Sequence, residues 1–414
     1  ADLAGFPAEA GGTFVPGGTL GNLSALHAAR QTALARRGGE RLPRWRLAAS
    51  TEAHSSVAQA ARVLDVDLLP VPVDARYRLT AENLQAALAA EGDDGLFAVV
   101  ASAGATNLGS IDDLAGIARV CRERGLWLHV DGAYGLAALA APSARAAFAG
   151  IEAADSFIVD PHKWLFAPYD CCALLYRDPA LARAAHSQSA DYLDALNARN
   201  EWNPADYAVH LSRRARGLPF WFSLAVHGTD AYTEAIEATL DLTRQAVGLV
   251  AARPYLELVL EPELTVLVFR RRGWSRRMAA LGLILQATGL LGAAFAPSLA
   301  VALPAVAMIG FGFSLCFPVL TGTLQLEVPD GLRGRIMAFH QTAHLGNRPI
   351  TALLIGAIAT LVGAQLAAIA GAVLAPLGLY ATRRAWRLLA ARPARPRPEP
   401  VPGHEPAVDP GAAG

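Results

Sequence analysis

Lysine occurs once in the 414 residues, at Lys163, although the chain holds 36 Lys plus Arg. Arginine stays protonated and is a poor nucleophile, whereas a desolvated lysine amine can lose its proton and form an imine. Compositional drift towards arginine could by itself leave one lysine behind, so the neighbours decide its meaning. Lys163 follows the apolar run Phe157-Ile158-Val159 and sits in Asp160-Pro161-His162-Lys163-Trp164. A strand running into a His-Lys pair is a place where a cofactor aldehyde can be held. Three other polar features stand at similar places. Gly17-Gly18-Thr19 marks a strand-to-helix turn whose free N–H groups and dipole favour a phosphate, although a plain turn reads the same way. His54 follows Ser50-Thr51-Glu52-Ala53, where a lone histidine is ordinarily a polar loop residue. Asp131 ends the apolar stretch His129-Val130-Asp131 and alone would pass for a helix cap.

These residues need a frame to bring them together, and the pattern up to about Trp274 supplies one. Residues 13–16, 47–50, 68–71, 97–101, 127–130, 157–159 and 173–176 read as short buried strands. Helical stretches lie between most of them, including one opened by Gly17-Gly18-Thr19 through about Arg37, then 81–90 and 114–124. Strands alternating with helices predict an α/β layer with a mainly parallel sheet. Ligands of such sheets bind at the carboxyl ends of the strands, where this chain places its polar residues.

Taken together, the polar residues match pyridoxal phosphate chemistry: a phosphate cup, a ring to stack on the cofactor, an acid for the pyridine nitrogen and an imine-forming lysine. The text around them carries a resemblance. Gly12-Thr13-Phe14-Val15-Pro16-Gly17-Gly18-Thr19 leads to Asn22 and Ala28-Ala29-Arg30, followed by Glu52-Ala53-His54-Ser55-Ser56. Then come Gly104-Ala105-Thr106-Asn107-Leu108-Gly109-Ser110-Ile111-Asp112, His129-Val130-Asp131-Gly132-Ala133-Tyr134 and Asp160-Pro161-His162-Lys163-Trp164. Through these ordered motifs, residues 10 to about 272 resemble the group II pyridoxal-phosphate-dependent decarboxylases, the aromatic-amino-acid and glutamate type with the aspartate aminotransferase fold. The resemblance implies that Lys163 bonds to the cofactor, Asp131 pairs with its pyridinium nitrogen, and His54 stacks on its ring and assists protonation. It also implies that Gly18, Thr19 and His162 bind the phosphate, that Thr106 lies near the imine, and that Ala133 packs against the ring.

Some positions depart from the family's pattern. Ala105 is the middle residue of a Gly-Thr-Thr element, and Gly132 replaces the alanine usual after the aspartate. Many relatives have asparagine where Asp160 stands, which sets a charge beside the phosphate. For the family's mobile-loop tyrosine, Tyr207 is the catalytic candidate and Tyr192 the alternative. The chain opens at Ala1-Asp2-Leu3 without an initiator Met and is expected to be a fragment. The family's N-terminal segment and most of its small C-terminal domain are expected to be missing, and activity to be impaired.

Beyond Arg277 the composition changes to long apolar stretches almost without charge. Residues 278–296, 299–322, 336–361 and 365–381 read as four membrane spans, the third carrying His340, His344 and Arg348. Arginines at 270–272, 276, 277, 333, 335, 383, 384 and 387 place both ends of this block on the cytoplasmic side. The block resembles the last four helices of a major facilitator superfamily exporter, through Arg333-Gly334-Arg335 and the small-residue stretch 349–356. A part of that size cannot transport alone. Residues 392–414, rich in Pro, Arg and Ala, read as a disordered tail.

The composition fits this division. Formal net charge is +0 and the hydrophobic fraction 53%, so no basic footprint points to nucleic acid. Cys121, Cys171, Cys172 and Cys316 have no metal-ligand spacing, and no metal is expected. The expected organisation is a decarboxylase-like domain over 1–274, a transmembrane block of about four helices over 275–391 and a tail over 392–414. The junction falls inside the family's small domain, as a gene fusion or a reading-frame accident would leave it. The expected protein is an amino-acid decarboxylase with pyridoxal 5'-phosphate on Lys163. Its partners are a small-molecule amino-acid substrate, acidic, aromatic or diamino, a second copy in a homodimer, and a membrane with the globular domain on the cytoplasmic side. The alternative is a transporter fragment with a vestigial pyridoxal phosphate domain.

Overall fold

The computed structural model describes residues 1–187, 202–271 and 276–327, with single positions between 336 and 369. The chain divides into two compact units, Ala1–Arg270 and Arg271–Gly414, against an expected seam at 274. In the first unit every expected strand of the main sheet forms. They are β1 (Gly11–Val15), β2 (Arg46–Ser50), β3 (Asp67–Val71), β4 (Leu96–Ser102), β5 (Trp127–Asp131), β6 (Ser156–Val159) and β7 (Cys172–Tyr176). The sheet order is β1-β7-β6-β5-β4-β2-β3. β6, β5, β4, β2 and β3 pair in parallel, and β7 runs antiparallel to both β6 and β1. The result is a mixed sheet in which β7 alone is reversed.

Helices α1 (Gly18–Arg36), α2 (Ser55–Val63), α3 (Ala81–Glu91) and α4 (Leu114–Arg124) make the crossovers between the early strands. Between β5 and β6 the chain instead takes three short 3-10 turns, Gly135–Ala140, Arg145–Phe148 and Ile151–Ala153. After β7 come α5 (Pro179–His186), a 3-10 turn at Pro204–Tyr207 and α6 (Gly217–Ala251), broken at Gly228. Side-chain oxygens cap three of these helices: Thr80 for α3, Asp113 for α4 and Asp178 for α5. α1 has no such cap.

Side chains alternate across the strands, so each face of the sheet builds its own core. Ala48, Val99, Ala101, Leu128 and Val130 pack with Leu84 and Leu88 of α3 and with Leu114 and Ile117 of α4. Leu47, Ala49, Ala98, Val100, Trp127 and Ile158 face the other way, onto Ala25, Leu26 and Ala29 of α1 and Val57 and Ala60 of α2. A two-stranded ribbon of β8 (Leu256–Leu258) and β9 (Phe269–Arg271) follows, β9 running one residue past the first unit's boundary. A strand expected over 264–269 forms only at its last residue. Leu264 is buried and the Thr265 N–H donates to the Tyr134 hydroxyl at 3.0 Å, so these residues serve side-chain contacts rather than a ladder.

In the second unit, α7 (Arg276–Ala294) and α8 (Leu299–Glu327) form an antiparallel hairpin held at close range by small residues. A Cβ on Gly282 would lie 2.6 Å from the Gly312 carbonyl oxygen, and one on Gly289 2.7 Å from that of Ala305. Of the four expected spans, the stretch Leu299–Val319 of α8 is long and apolar enough to cross a bilayer. The first expected span, 278–296, forms a helix that stops at Ala294, and its apolar part Met278–Ala294 is shorter than the apolar stretch of α8. The spans expected at 336–361 and 365–381 lie outside the described residues apart from single positions.

Gly132, one of the departures from the family's pattern, has a steric reason. A Cβ there would lie 2.1 Å from Cγ of Leu136, a buried residue of the first 3-10 turn after β5. Gly132→Ala is therefore expected to cost about 1–3 kcal/mol by overpacking. In urea unfolding, Gly132→Ala combined with Leu136→Ala should lose less than the sum of the two single variants. Strict additivity would show that Leu136 does not impose the glycine.

Candidate active site

The carboxyl ends of β1, β2, β4, β5 and β6 lead into a cavity of about 290 Å³. Of the residues expected at the site, Gly18, Thr19, His54, Thr106, Asp131, Ala133, His162 and Lys163 all line it. Tyr207 does not. It is 8% exposed in the core shared by α1, α2 and β7, burial raises its phenol pKa, and its carbonyl accepts the Tyr176 hydroxyl at 3.1 Å. The proposed catalytic role of Tyr207 is thus not supported by its placement. Tyr192 lies outside the described residues.

Asp131, the last residue of β5, is 9% exposed. Its Oδ2 accepts from Asn22 Nδ2 at 2.8 Å and its Oδ1 from the Ala133 N–H at 3.2 Å. No cationic side chain pairs with it among the described residues. A buried carboxylate held only by neutral donors is suited to receive a cationic N–H, which a pyridinium ring provides.

The N-terminus of α1 forms the second part. Gly17 is the N-cap residue and offers no side-chain oxygen, so the first-turn N–H groups lack the acceptor that α3, α4 and α5 possess. A Cβ on Gly18 would lie 3.1 Å from Cδ1 of Ile158 and 3.3 Å from Cβ of Ala133, so glycine lets this turn sit against β6 and Ala133. An anion such as a phosphate is what such a turn accepts. His162 stands beside it: an added Cβ on Gly17 would meet the His162 ring at 3.8 Å. The His162 Nδ1 accepts the Cys171 N–H at 2.9 Å, leaving Nε2 to carry the proton. Tyr169, another cavity residue, stacks on the same ring at 4.4 Å.

Lys163 is the third part. Its Nζ lies 3.0 Å from Oδ2 of Asp160, and the side chain is 41% exposed to the cavity and solvent. The same Asp160 oxygen is 3.5 Å from His162 Nε2, while Asp160 Oδ1 is buried without a hydrogen-bond partner. The next residue, Trp164, is anchored: its indole N–H donates to Thr239 at 3.0 Å and its ring stacks on Tyr134 at 5.0 Å. On the facing side, Asp112 ties the loop of Thr106 to β4 by accepting the N–H groups of Ser102 at 2.6 Å and Leu79 at 2.7 Å. Burial raises the Asp112 pKa to about 7 against these two bonds, which favour the carboxylate.

Pyridoxal phosphate fits this donor set: an uncapped helix turn for the phosphate, a carboxylate without a cation for the ring nitrogen, and an amine for the aldehyde. Asn22, Ser56, Ser102 and Tyr134 also line the cavity, and the sequence reading did not assign them to the site. Asn22 follows Thr19 by one helical turn, and Ser56 follows His54 by two residues, so spacing offered a signal for both.

A model of the pyridoxal-dependent decarboxylase conserved domain matches residues 1–272. Aromatic-L-amino-acid decarboxylase of Bacillus atrophaeus is 33% identical over 275 residues, which cover 65% of this chain and 56% of that protein. An acidic amino acid decarboxylase of Mus musculus is 34% identical over 272 residues, covering 63% and 50%. The chain thus spans about half the length of the curated relatives it matches. Among solved structures, mouse CSAD superposes with a TM-score of 0.59 at 31% identity, covering 69% of this chain and 63% of that one. Oryza sativa TDC with PLP and tryptamine gives 0.62 at 27% identity, covering 66% and 59%. With its sheet, its lysine and its carboxylate arranged as described, the chain belongs to the pyridoxal-dependent decarboxylase family.

Proposed function

We propose that the globular unit decarboxylates an amino acid with pyridoxal phosphate held at Lys163. The observation that carries this reading is the placement of the chain's single lysine in one cavity with an uncapped helix turn and a buried carboxylate that no cation pairs among the described residues. When bound, the cofactor supplies an aldehyde that bonds an amine and a pyridinium ring that takes up the electron pair left by departing CO2. Asp131 keeps the proton on the ring nitrogen, and Asn22 and the Ala133 N–H hold that carboxylate in place. The first turn of α1 and His162 bind the phosphate. Lys163 presents its amine to the aldehyde from the end of β6. His54 lines the cavity with Nδ1 taken up by Ser56, so Nε2 is the nitrogen left for hydrogen bonding to cofactor or substrate. The curated relatives are named for aromatic and acidic amino acids, which supports a substrate from those classes. A homodimer belongs to this reading, supported by Leu218, Trp221, Phe222 and Val226 on α6, which are 49% to 73% exposed.

The C-terminal helices are read as a membrane anchor, with the globular unit on the cytoplasmic side. What supports this is the stretch Leu299–Val319, 21 residues of mean hydropathy 2.1 with 17% of the span buried. The likeness to the last helices of a transporter rests on Arg333-Gly334-Arg335 and 349–356, which lie outside the described residues.

Borohydride reduction of the chain incubated with pyridoxal phosphate should place a pyridoxyl group on Lys163, read by peptide mass spectrometry. Folded protein that stays unlabelled there refutes the assignment. Asp131→Asn removes the partner of the ring nitrogen and is expected to lower decarboxylation on the order of a thousandfold, as loss of a preorganised charge partner does. Unchanged turnover would release Asp131 from that role. For the anchor, the chain should stay with membranes after alkaline carbonate washing and yield its globular unit to protease only from the cytoplasmic side. A freely soluble, monodisperse chain would end that reading.

A further inference from the structure

Trp127, His129 and Asp131 alternate along β5 and so share one face. That face is covered by α1, which brings Asn22 over it, and Ser156 of β6 joins the same layer. A continuous set of hydrogen bonds results. Trp127 Nε1 reaches Ser156 Oγ at 2.9 Å, and Ser156 Oγ reaches His129 Nδ1 at 2.8 Å. His129 Nε2 meets Asn22 Oδ1 at 2.9 Å. Asn22 Nδ2 meets both Asp131 Oδ2 at 2.8 Å and Ser56 Oγ at 2.9 Å. Ser56 Oγ lies 2.8 Å from His54 Nδ1.

One proton assignment satisfies every link. An ionised carboxylate only accepts, so the Asn22 amide nitrogen must face Asp131, and its oxygen must face His129. His129 therefore carries its proton on Nε2. Burial pushes its pKa down to about 4, so the ring is neutral and its bare Nδ1 takes the Ser156 hydroxyl proton. The second Asn22 N–H can only donate, so Ser56 Oγ accepts it. At the far end, the Ser56 backbone N–H donates to His54 Nδ1 at 3.2 Å, where the imidazole serves as the N-cap of α2. That nitrogen must be bare, so the Ser56 hydroxyl donates to it as well. All the bonds run one way, from Trp127 to His54, with a branch to Asp131.

We propose that Ser56 holds His54 in its Nε2–H tautomer through its backbone N–H and its hydroxyl, and that Asn22 is the positioning residue that aims that hydroxyl and ties the tautomer to the Asp131 carboxylate. One amide thus sets two groups of the cavity. His54 offers the cavity a hydrogen-bond donor and not a base, because its basic nitrogen is occupied twice. To take a proton at Nδ1 it would have to give up both Ser56 bonds and the cap of α2. The inference rests on the reading of this cavity as the cofactor site only for its consequence; the tautomer itself is a property of the chain alone.

The test is two-bond 1H–15N correlation spectroscopy of the full chain labelled with 15N-histidine, in detergent micelles and with no cofactor added. His54→Gln identifies the His54 signals by their loss. The expected wild-type pattern is a single Nε2–H tautomer for His54. Asn22→Asp replaces the donating amide by a carboxylate that draws the Ser56 hydroxyl to itself. His54 Nδ1 should then move towards the protonated position, giving an averaged pattern. Ser56→Ala, which deletes one oxygen, should shift His54 in the same sense and serves alone if circular dichroism shows Asn22→Asp to be unfolded. A wild-type His54 that is Nδ1–H or already averaged would overturn the proposal, as would variants whose His54 pattern is unchanged. Because no cofactor is present, that failure is read separately from a failure of Lys163 to take up pyridoxal phosphate.

Discussion

A carboxylate closed into the protein, with no cation paired to it among the described residues, is the constraint on which the first unit depends. Removing an ion from water costs several kcal/mol unless donors and an opposite charge replace the lost hydration. At Asp131 the chain supplies the donors, from Asn22 and Ala133, and leaves the opposite charge to come from outside. Asn22 reaches that carboxylate only because α1 lies close on β6. A Cβ on Gly21 would lie 2.7 Å from Cγ2 of Ile158, and one on Gly18 3.1 Å from its Cδ1. Those glycines, the alternation of β5 and the parallel pairing of β4, β5 and β6 together bring Asp131 to the floor of the cavity.

Much of this was legible in the sequence, because buried strands of four to seven apolar residues between helical stretches have few other solutions. Every strand of the main sheet lies within a residue or two of its expected bounds. The site residues at strand ends were legible for the same reason: where a parallel strand stops, a polar residue has the cavity to face. What could not be read depends on contacts across the fold. Asn22 acquires its meaning from His129 and Ser56, which are 107 and 34 positions away. Gly132 looks like a loosened motif until Leu136 fills the space of its missing Cβ. Tyr207 invited a catalytic reading by type and region, but the core between α1 and β7 claims its ring. Over 264–269, apolar composition suggested a strand where the chain instead anchors Tyr134.

The two units meet opposite packing demands. In the first, polar groups are buried beside the sheet, and pairing them produces the directional chain between β5 and α1. In the second, α8 has few polar side chains to satisfy, and Phe311, Val306 and Leu303 are exposed. There the backbones approach closely through Gly282, Gly289 and Gly312, so the contact rests on small residues.

Asp160 shows how a charge beside a phosphate turn can be accommodated. By the family's pattern an asparagine would keep that turn free of negative charge. Here Oδ2 of Asp160 faces Lys163 Nζ at 3.0 Å and the protonated Nε2 of His162 at 3.5 Å. The tautomer of His162 follows from the Cys171 N–H on its Nδ1, so this second donor is fixed by the backbone of β7's approach. The carboxylate and the lysine form a neutral pair, and the phosphate turn has neutral N–H groups to offer. The aspartate also orients an amine that is otherwise half in solvent, a task an amide could perform only with its single oxygen and without charge. A negative charge in this position therefore faces the lysine, and on the proposed reading the residue that looked least suited to an anion site is the one that aims the reactive amine.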